Sequence, residues 1–415
     1  MNPSNARCFA ICSSTALLFV LAVVQLTHAA EPFYLGDSDR VVFYGDSITE
    51  QAYYTHPIEL FVATRYPHWR MRFINSGWGG DRAWGGEGGT LDQRLQRDVI
   101  RYKPTVVTVM LGMNDGYYTN FDEKALDVFR KSIEELIATL EHQLPRVRIT
   151  LIGISPYDNI TPGEQPEWEK IIDGGYDSVV ARYSKAMGEI AKEHDLLFVD
   201  MHAPLVQLLK QLQSENPELA RELIPDRIHP GKAAGLVMAA ELLKAWHAPA
   251  IEDLPPIDAK NMEDDPLIIH QKWPARFPLN DRDALTSHLF KHQESLNLFA
   301  PPRLRITDLG PGKVSLRIDD KDLGVISAEE LEAGVELSEQ RLPDESADTL
   351  TKLIELRNRL HFLKWRTLEL AVKPQTEEIK RAVTELAAVG QELTELQSRL
   401  ARPAEHVIEI RRVEP

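Results

Sequence analysis

Val41-Val42-Phe43-Tyr44-Gly45-Asp46-Ser47-Ile48-Thr49 is an apolar, β-branched and aromatic run that breaks off in Gly-Asp-Ser. Such a run reads as a strand buried on both faces of a parallel sheet. Gly45 permits a sharp turn at its end. Ser47 then lies just past the carboxyl end of the strand, where open α/β sheets bind their ligands. Gly-Asp-Ser after a strand is also ordinary turn chemistry, so its meaning depends on the segments around it.

Those segments alternate strand-like and helix-like patterns from residue 41 to about 247, the signature of a parallel sheet with helices on both faces. Arg72-Phe73-Ile74-Asn75 is a second short strand, and Thr105 to Leu111 and Ile149 to Ile154 are strongly buried ones. Leu91 to Tyr102, Phe121 to Gln143, Tyr176 to His194 and Lys232 to Trp246 carry helical spacing. Ala248 to Pro266 is rich in Pro and acidic residues and reads as a linker. In 267–340, Arg303-Leu304-Arg305-Ile306 and Lys313 to Ile318 alternate about the turn Leu309-Gly310-Pro311-Gly312, which predicts a small β-rich accessory element. In 341–415, Leu353, Leu356, Leu360, Leu363 and Leu370, then Ile379, Val383, Leu386, Leu393 and Leu400 after Pro374, predict a helical hairpin. The hairpin either folds onto its own domain or makes a homo-oligomer interface.

The chain has 415 residues and is 43% hydrophobic, enough for a large core and accessory parts. Its formal charge of −16 argues against a nucleic-acid partner, which needs clustered Lys and Arg. Residues 1–30 read as an export signal: Arg7, the apolar run Leu17 to Val24, then small residues at Ala29 and Ala30. That implies a periplasmic or extracellular protein without a stable membrane span after processing. Both cysteines, Cys8 and Cys12, fall in this segment, so the processed chain has no thiol or disulfide for chemistry.

Three further stretches bear on Ser47. Asn75-Ser76-Gly77-Trp78-Gly79-Gly80-Asp81 follows the second strand, and its glycines let backbone N–H groups face a ligand. Gly112-Met113-Asn114-Asp115 ends the strongest strand and offers an amide donor. In Asp226-Arg227-Ile228-His229-Pro230 a carboxylate stands three residues before an imidazole, within reach to fix its tautomer and stabilise its cation.

Four such features in this order resemble the SGNH hydrolases, the GDSL family of esterases and acylhydrolases, over roughly residues 38 to 247. The resemblance implies a flavodoxin-like three-layer α/β/α domain at 31–247. It implies Ser47 as nucleophile, His229 as base and then acid, and Asp226 as its orienting carboxylate. It implies an oxyanion hole of the Ser47 and Gly80 backbone N–H groups and the Asn114 side-chain amide, with Gly77 or Gly79 as alternatives to Gly80. Asp46, Trp78 and Asp115 are expected to touch substrate. His202 lacks the Asp-x-x-His-Pro setting and is a weak second candidate for the base. No metal or other cofactor is implied.

The implied activity is secreted ester hydrolysis through an acyl-enzyme, with acetylated carbohydrate as the substrate class. Tyr53, Tyr54, Trp84, Tyr117 and Tyr118, like Trp78, are candidates to stack on sugar rings. A lipid or thioester acylhydrolase with the same triad is the alternative within the class. A non-catalytic glycan-binding or scaffold protein is the alternative outside it.

Overall fold

A computed structural model describes residues 31–260, 266–278, 283–338, 341, 342 and 344–413. The expected export signal, with Cys8 and Cys12, lies outside the described residues.

The opening run forms β1 (Arg40–Gly45), whose residues Val41 to Tyr44 are all at most 1% exposed. It is the second strand of a five-stranded parallel sheet. The others are β2 (Arg72–Gly77), β3 (Val106–Met110), β4 (Arg148–Ile152) and β5 (Leu197–Val199), in the order β2-β1-β3-β4-β5. This is the flavodoxin-like order, and its reversal point falls between β1 and β3. The register sets Gly45 beside both Gly77 and Met110. The three segments that leave these residues therefore start at one level of one sheet edge.

Helices cover the sheet. They are α1 (Ser47–Glu50), α2 (Thr55–Arg65), α3 (Leu91–Asp98), α4 (Glu123–Gln143), α5 (Tyr176–Glu193), α6 (His202–Glu215) and α7 (Lys232–Ala245). In α4 the buried positions Phe129, Ile133, Leu136, Ile137 and Leu140 keep the three-to-four spacing of a single buried face. α7 instead turns small residues inward, and a Cβ on Gly235 would stand 2.5 Å from the Tyr53 carbonyl oxygen. That close approach holds the helix following His229 against the segment following Ser47.

A second core sits under an antiparallel sheet of β6 (Leu267–Trp273), β7 (Lys313–Ile318), β8 (Lys321–Ser327) and β9 (Ala404–Arg412), ordered β8-β7-β9-β6. Trp273, Leu316, Ile318, Ile408 and Ile410 fill it. β7 turns at Asp319, whose φ of 50° is left-handed, and pairs with β8. One expectation fails here: the hairpin region does not stay helical to its end. After α8 (Glu345–Phe362), a π-helical stretch (Leu363–Ala371) and α9 (Glu377–Leu400), the chain becomes β9 and runs between β6 and β7.

The expected linker and β-element also divide differently. Ile257 and Asp258 pair with Ile306 and Thr307. Phe277, Leu285, Leu289, Leu296 and Phe299 join the α/β core instead of the second one. Leu350 and Ile354 of α8 enter that same core, whereas Leu356 and Leu363 are exposed. The leucine spacing identified the helix but not its buried face.

Candidate active site

Asp46 starts the site by capping α1: its Oδ1 accepts the Ile48 N–H at 3.0 Å. The turn admits no side chain at Gly45, where a Cβ would lie 2.2 Å from Thr49 Oγ1 and 2.6 Å from the Met110 carbonyl oxygen. Ser47 is thus fixed at the first turn of a helix, partly open to solvent.

Across from it, the loop before α7 folds Asp226 back onto His229. Asp226 Oδ1 accepts the Ile228 N–H at 3.1 Å and the His229 N–H at 2.7 Å. Its Oδ2 lies 2.6 Å from His229 Nδ1, and His229 Nε2 lies 2.8 Å from Ser47 Oγ. An ionised carboxylate only accepts, so Nδ1 carries the hydrogen and Nε2 is free to accept from the Ser47 hydroxyl. Partial burial works against the Asp226 charge, but the bonds from His229 and Ile228 outweigh it and hold this carboxyl below its ordinary range. His202 goes elsewhere: its Nε2 meets Asp177 Oδ1 at 3.0 Å.

The glycine loop separates its three candidates by their bonds. The Gly77 N–H donates to Asn75 Oδ1 at 2.9 Å, and the Gly79 N–H donates to Glu50 Oε2 at 2.5 Å. Gly80 has a left-handed φ of 74° and open space where a Cβ would be. Asn114 Nδ2 donates to the Asp81 carbonyl at 3.0 Å and reaches Asp46 Oδ2 at 3.5 Å. Its Oδ1 accepts from the Tyr118 hydroxyl at 3.0 Å, which fixes the way the amide faces.

The expected substrate contacts Asp46, Asp115 and Trp78 serve the scaffold instead. Asp46 is the cap just described and is 1% exposed. Asp115 is 3% exposed and accepts the Ala83 N–H at 3.0 Å. Trp78 is packed among the guanidinium groups of Arg94, Arg97 and Arg366, at 5.3, 5.4 and 4.1 Å. Tyr54 is buried, with its hydroxyl 2.9 Å from Thr49 Oγ1. Trp84 and Tyr117 are exposed and flank Arg82, whose Nε donates to the Asn114 carbonyl at 3.1 Å. Sequence reading passed over Arg82; its signal was an arginine directly after the glycine loop. A cavity of about 370 Å³ opens beside Asp226, lined by Tyr157, Pro166, Trp168, Arg227 and Ile228 among others.

Burial pushes the Asp115 carboxyl up from 3.8 to about 7, and the Asp46 carboxyl likewise. Between those pH values the folded chain keeps protons that the unfolded chain releases. Stability therefore falls as pH rises through that window and levels off above it. Asp115→Asn keeps an acceptor for Ala83 and removes the titration. Urea unfolding at about pH 5 and about pH 8 should show a smaller loss of stability in the variant than in the wild type. An equal loss in both rules out this assignment.

A family model described as GDSL-like lipase/acylhydrolase matches residues 43–234. An acetylxylan esterase of Geobacillus stearothermophilus is 26% identical over 229 residues, covering 51% of this chain and 94% of the relative. An isoamyl acetate-hydrolyzing esterase of Saccharomyces cerevisiae is 24% identical over 222 residues, covering 50% of this chain and 86% of the relative. Among solved structures, a gut microbial diltiazem-metabolizing enzyme superposes with a TM-score of 0.71 at 23% identity, over 91% of this chain and 98% of that one. At that identity the likeness speaks to fold alone, but it takes in the C-terminal parts as well. Among the described residues no helix is long and apolar enough to cross a membrane.

Proposed function

The chain belongs, through residues 43–234, to the GDSL-like lipase/acylhydrolase family and is an ester-bond hydrolase; from that premise we propose an exported serine esterase that removes acetyl groups from carbohydrate. The observation that carries the mechanism is the unbroken hydrogen-bonded line Ser47–His229–Asp226, at 2.8 and 2.6 Å.

A serine hydroxyl is a weak nucleophile until a base takes its proton. In this reading Ser47 Oγ attacks the acyl carbon as its proton passes to His229 Nε2. Asp226 stabilises the imidazolium and holds the ring in place. The carbonyl electron pair moves onto oxygen, where the N–H groups of Ser47 and Gly80 receive it. The Asn114 amide adds a third donor by turning its long contact away from Asp46. Such donors are worth about 2.7–4 kcal/mol each. Collapse breaks the ester C–O bond, and the departing alcohol takes the proton from His229. Water, deprotonated by the same imidazole, then cleaves the acyl-enzyme to acetate and free Ser47.

The acetyl assignment draws on the names of the two relatives, both of which act on acetate esters. The carbohydrate assignment draws on the acetylxylan relative and on two surfaces beside the site. One is the exposed Trp84–Arg82–Tyr117 cluster next to Asn114, and the other is the aromatic cavity at Tyr157 and Trp168. Aromatic faces with polar neighbours suit sugar rings. Export draws on the apolar segment that follows Arg7 in the sequence.

The test is hydrolysis of acetylated xylooligosaccharide and isoamyl acetate, read as acetate released, and of p-nitrophenyl octanoate, read as p-nitrophenol released. The expected result is kcat/KM for the acetylated sugar above octanoate by about 100-fold or more, or about 2.7 kcal/mol. Release from isoamyl acetate alone would keep the acetyl assignment and overturn the carbohydrate one. Preference for octanoate would overturn both.

A further inference from the structure

The family model matches residues 43–234, yet the glycine loop here is held by residues outside that region. Arg366, in the π-helical stretch Leu363–Ala371, holds the loop both directly and through Glu50 of α1. Its Nη2 donates to the Gly77 carbonyl at 2.5 Å, and its Nη1 pairs with Glu50 Oε1 at 2.9 Å. The other oxygen of that carboxylate, Oε2, accepts the Gly79 N–H at 2.5 Å. Glu50 itself lies one turn beyond Ser47 on α1. The Arg366 guanidinium also covers the Trp78 ring at 4.1 Å.

The neighbouring residue holds the far side of the same loop. Trp365 is fully buried, and its indole N–H donates to Asp98 Oδ1 at 2.6 Å. Asp98 pairs with Arg94, and Arg94 Nε donates to Asp81 Oδ2 at 2.8 Å. Gly80 thus stands between two anchored residues, Gly79 and Asp81, with no side chain of its own to fix its peptide. A π-helical turn is a local departure from regular helix that recurs at functional sites. Here it carries both anchoring residues.

We propose that Arg366 is a positioning residue for ester hydrolysis, acting through Glu50 to aim the Gly80 N–H at the developing oxyanion. The inference rests on the serine-esterase reading above. Arg366 touches neither substrate nor the reacting atoms; it sets the geometry of a donor that does. A donor displaced by about 1 Å can cost up to about 100-fold in rate. The loss falls on kcat because an oxyanion donor acts chiefly in the transition state.

The experiment compares Arg366→Ala, Arg366→Lys, Glu50→Gln and Arg101→Ala in the full chain. Arg101 pairs with Glu369 at 2.8 Å and anchors the same stretch away from the loop. Readouts are kcat and KM on p-nitrophenyl acetate, inhibition by phenylboronic acid, whose Ser47 adduct mimics the tetrahedral oxyanion, and thermal unfolding. Arg366→Ala should lower kcat about 10- to 100-fold with KM within about twofold, and weaken boronate binding in step. Arg366→Lys, which keeps the charge but not the two-pronged contact, should fall between. Arg101→Ala should stay near wild type. If Arg366→Ala fails to fold, Arg366→Lys and Glu50→Gln carry the same comparison.

The proposal is overturned if the folded Arg366 variants keep kcat within about twofold of wild type. It is also overturned if Arg101→Ala loses as much rate, which would reduce the role of Arg366 to anchoring the helix. Ser47→Ala run in parallel separates the two levels. An active Ser47→Ala variant defeats the serine-esterase reading. An inactive one beside a fully active Arg366→Ala variant defeats this inference alone.

Discussion

Ser47→Ala is expected to lower kcat on p-nitrophenyl acetate by roughly 10⁴- to 10⁶-fold, with His229→Ala in the same range, because members of such a unit fail together. The geometry gives Ser47 a unique position. It is the hydroxyl that meets His229 Nε2, at 2.8 Å, and it sits where the sheet register brings Gly45, Gly77 and Met110 to one edge. Removing the hydroxyl takes away the proposed nucleophile but little packing, since Ser47 is partly solvent-exposed. Circular dichroism and the unfolding midpoint should therefore match the wild type. The double variant should be no slower than either single one by more than a few fold, since both remove one function. Losses that multiply would mean that serine and histidine act in separate steps. Any residual rate reflects binding and the oxyanion donors alone.

Arg94→Met is expected to produce the largest loss of stability, about 3–5 kcal/mol. Arg94 is a fully buried cation whose side chain, like those of Asp81 and Asp98, is 0% exposed. It donates to Asp81 Oδ2 at 2.8 Å, to Asp98 and to the Ser76 carbonyl at 2.9 Å, with its guanidinium 4.9 Å from the Tyr44 ring. Burial opposes its charge, but Tyr44 and the two carboxylates keep it protonated, above the ordinary arginine value. Methionine fills much of the volume, leaves the buried Asp81 carboxyl without its cation and leaves Asp98 with Arg97 alone. Burial already raises the Asp81 carboxyl, so it should then take up a proton, and the deficit should widen as pH rises. Urea unfolding measures the loss. Arg70→Met is the comparison: that guanidinium is 82% exposed and should matter by less than about 1 kcal/mol. Equal losses at the two positions would contradict the role given to the buried cluster.

The parts of this protein that were legible in the sequence are those set by local pattern. Continuous apolar runs at Val41 to Tyr44 and Thr105 to Leu111 could only be strands covered on both faces, and both lie in the parallel sheet. The three-residue step from Asp226 to His229 sufficed to bring carboxylate and imidazole together. Which of Gly79 and Gly80 presents its N–H was not legible, because the partner that takes the Gly79 N–H, Glu50, comes from α1. The same holds for Trp78, an aromatic in a ligand loop by sequence and a packing surface for Arg366 in the fold. Strand β9 was hidden because Ile408 and Ile410 are too short an alternation to stand out after two helices. The grip of Arg366 on Gly77 spans 289 residues, and no local periodicity encodes it.

The central claim is that ester cleavage passes through an acyl group on Ser47. Rapid acid quenching of the wild type during turnover of p-nitrophenyl acetate, followed by peptide mass mapping, tests it directly. The account predicts one added acetyl group on the peptide containing Ser47, absent from Ser47→Ala. Acetyl on another residue, or undiminished turnover by Ser47→Ala with no acetylated peptide, would contradict it.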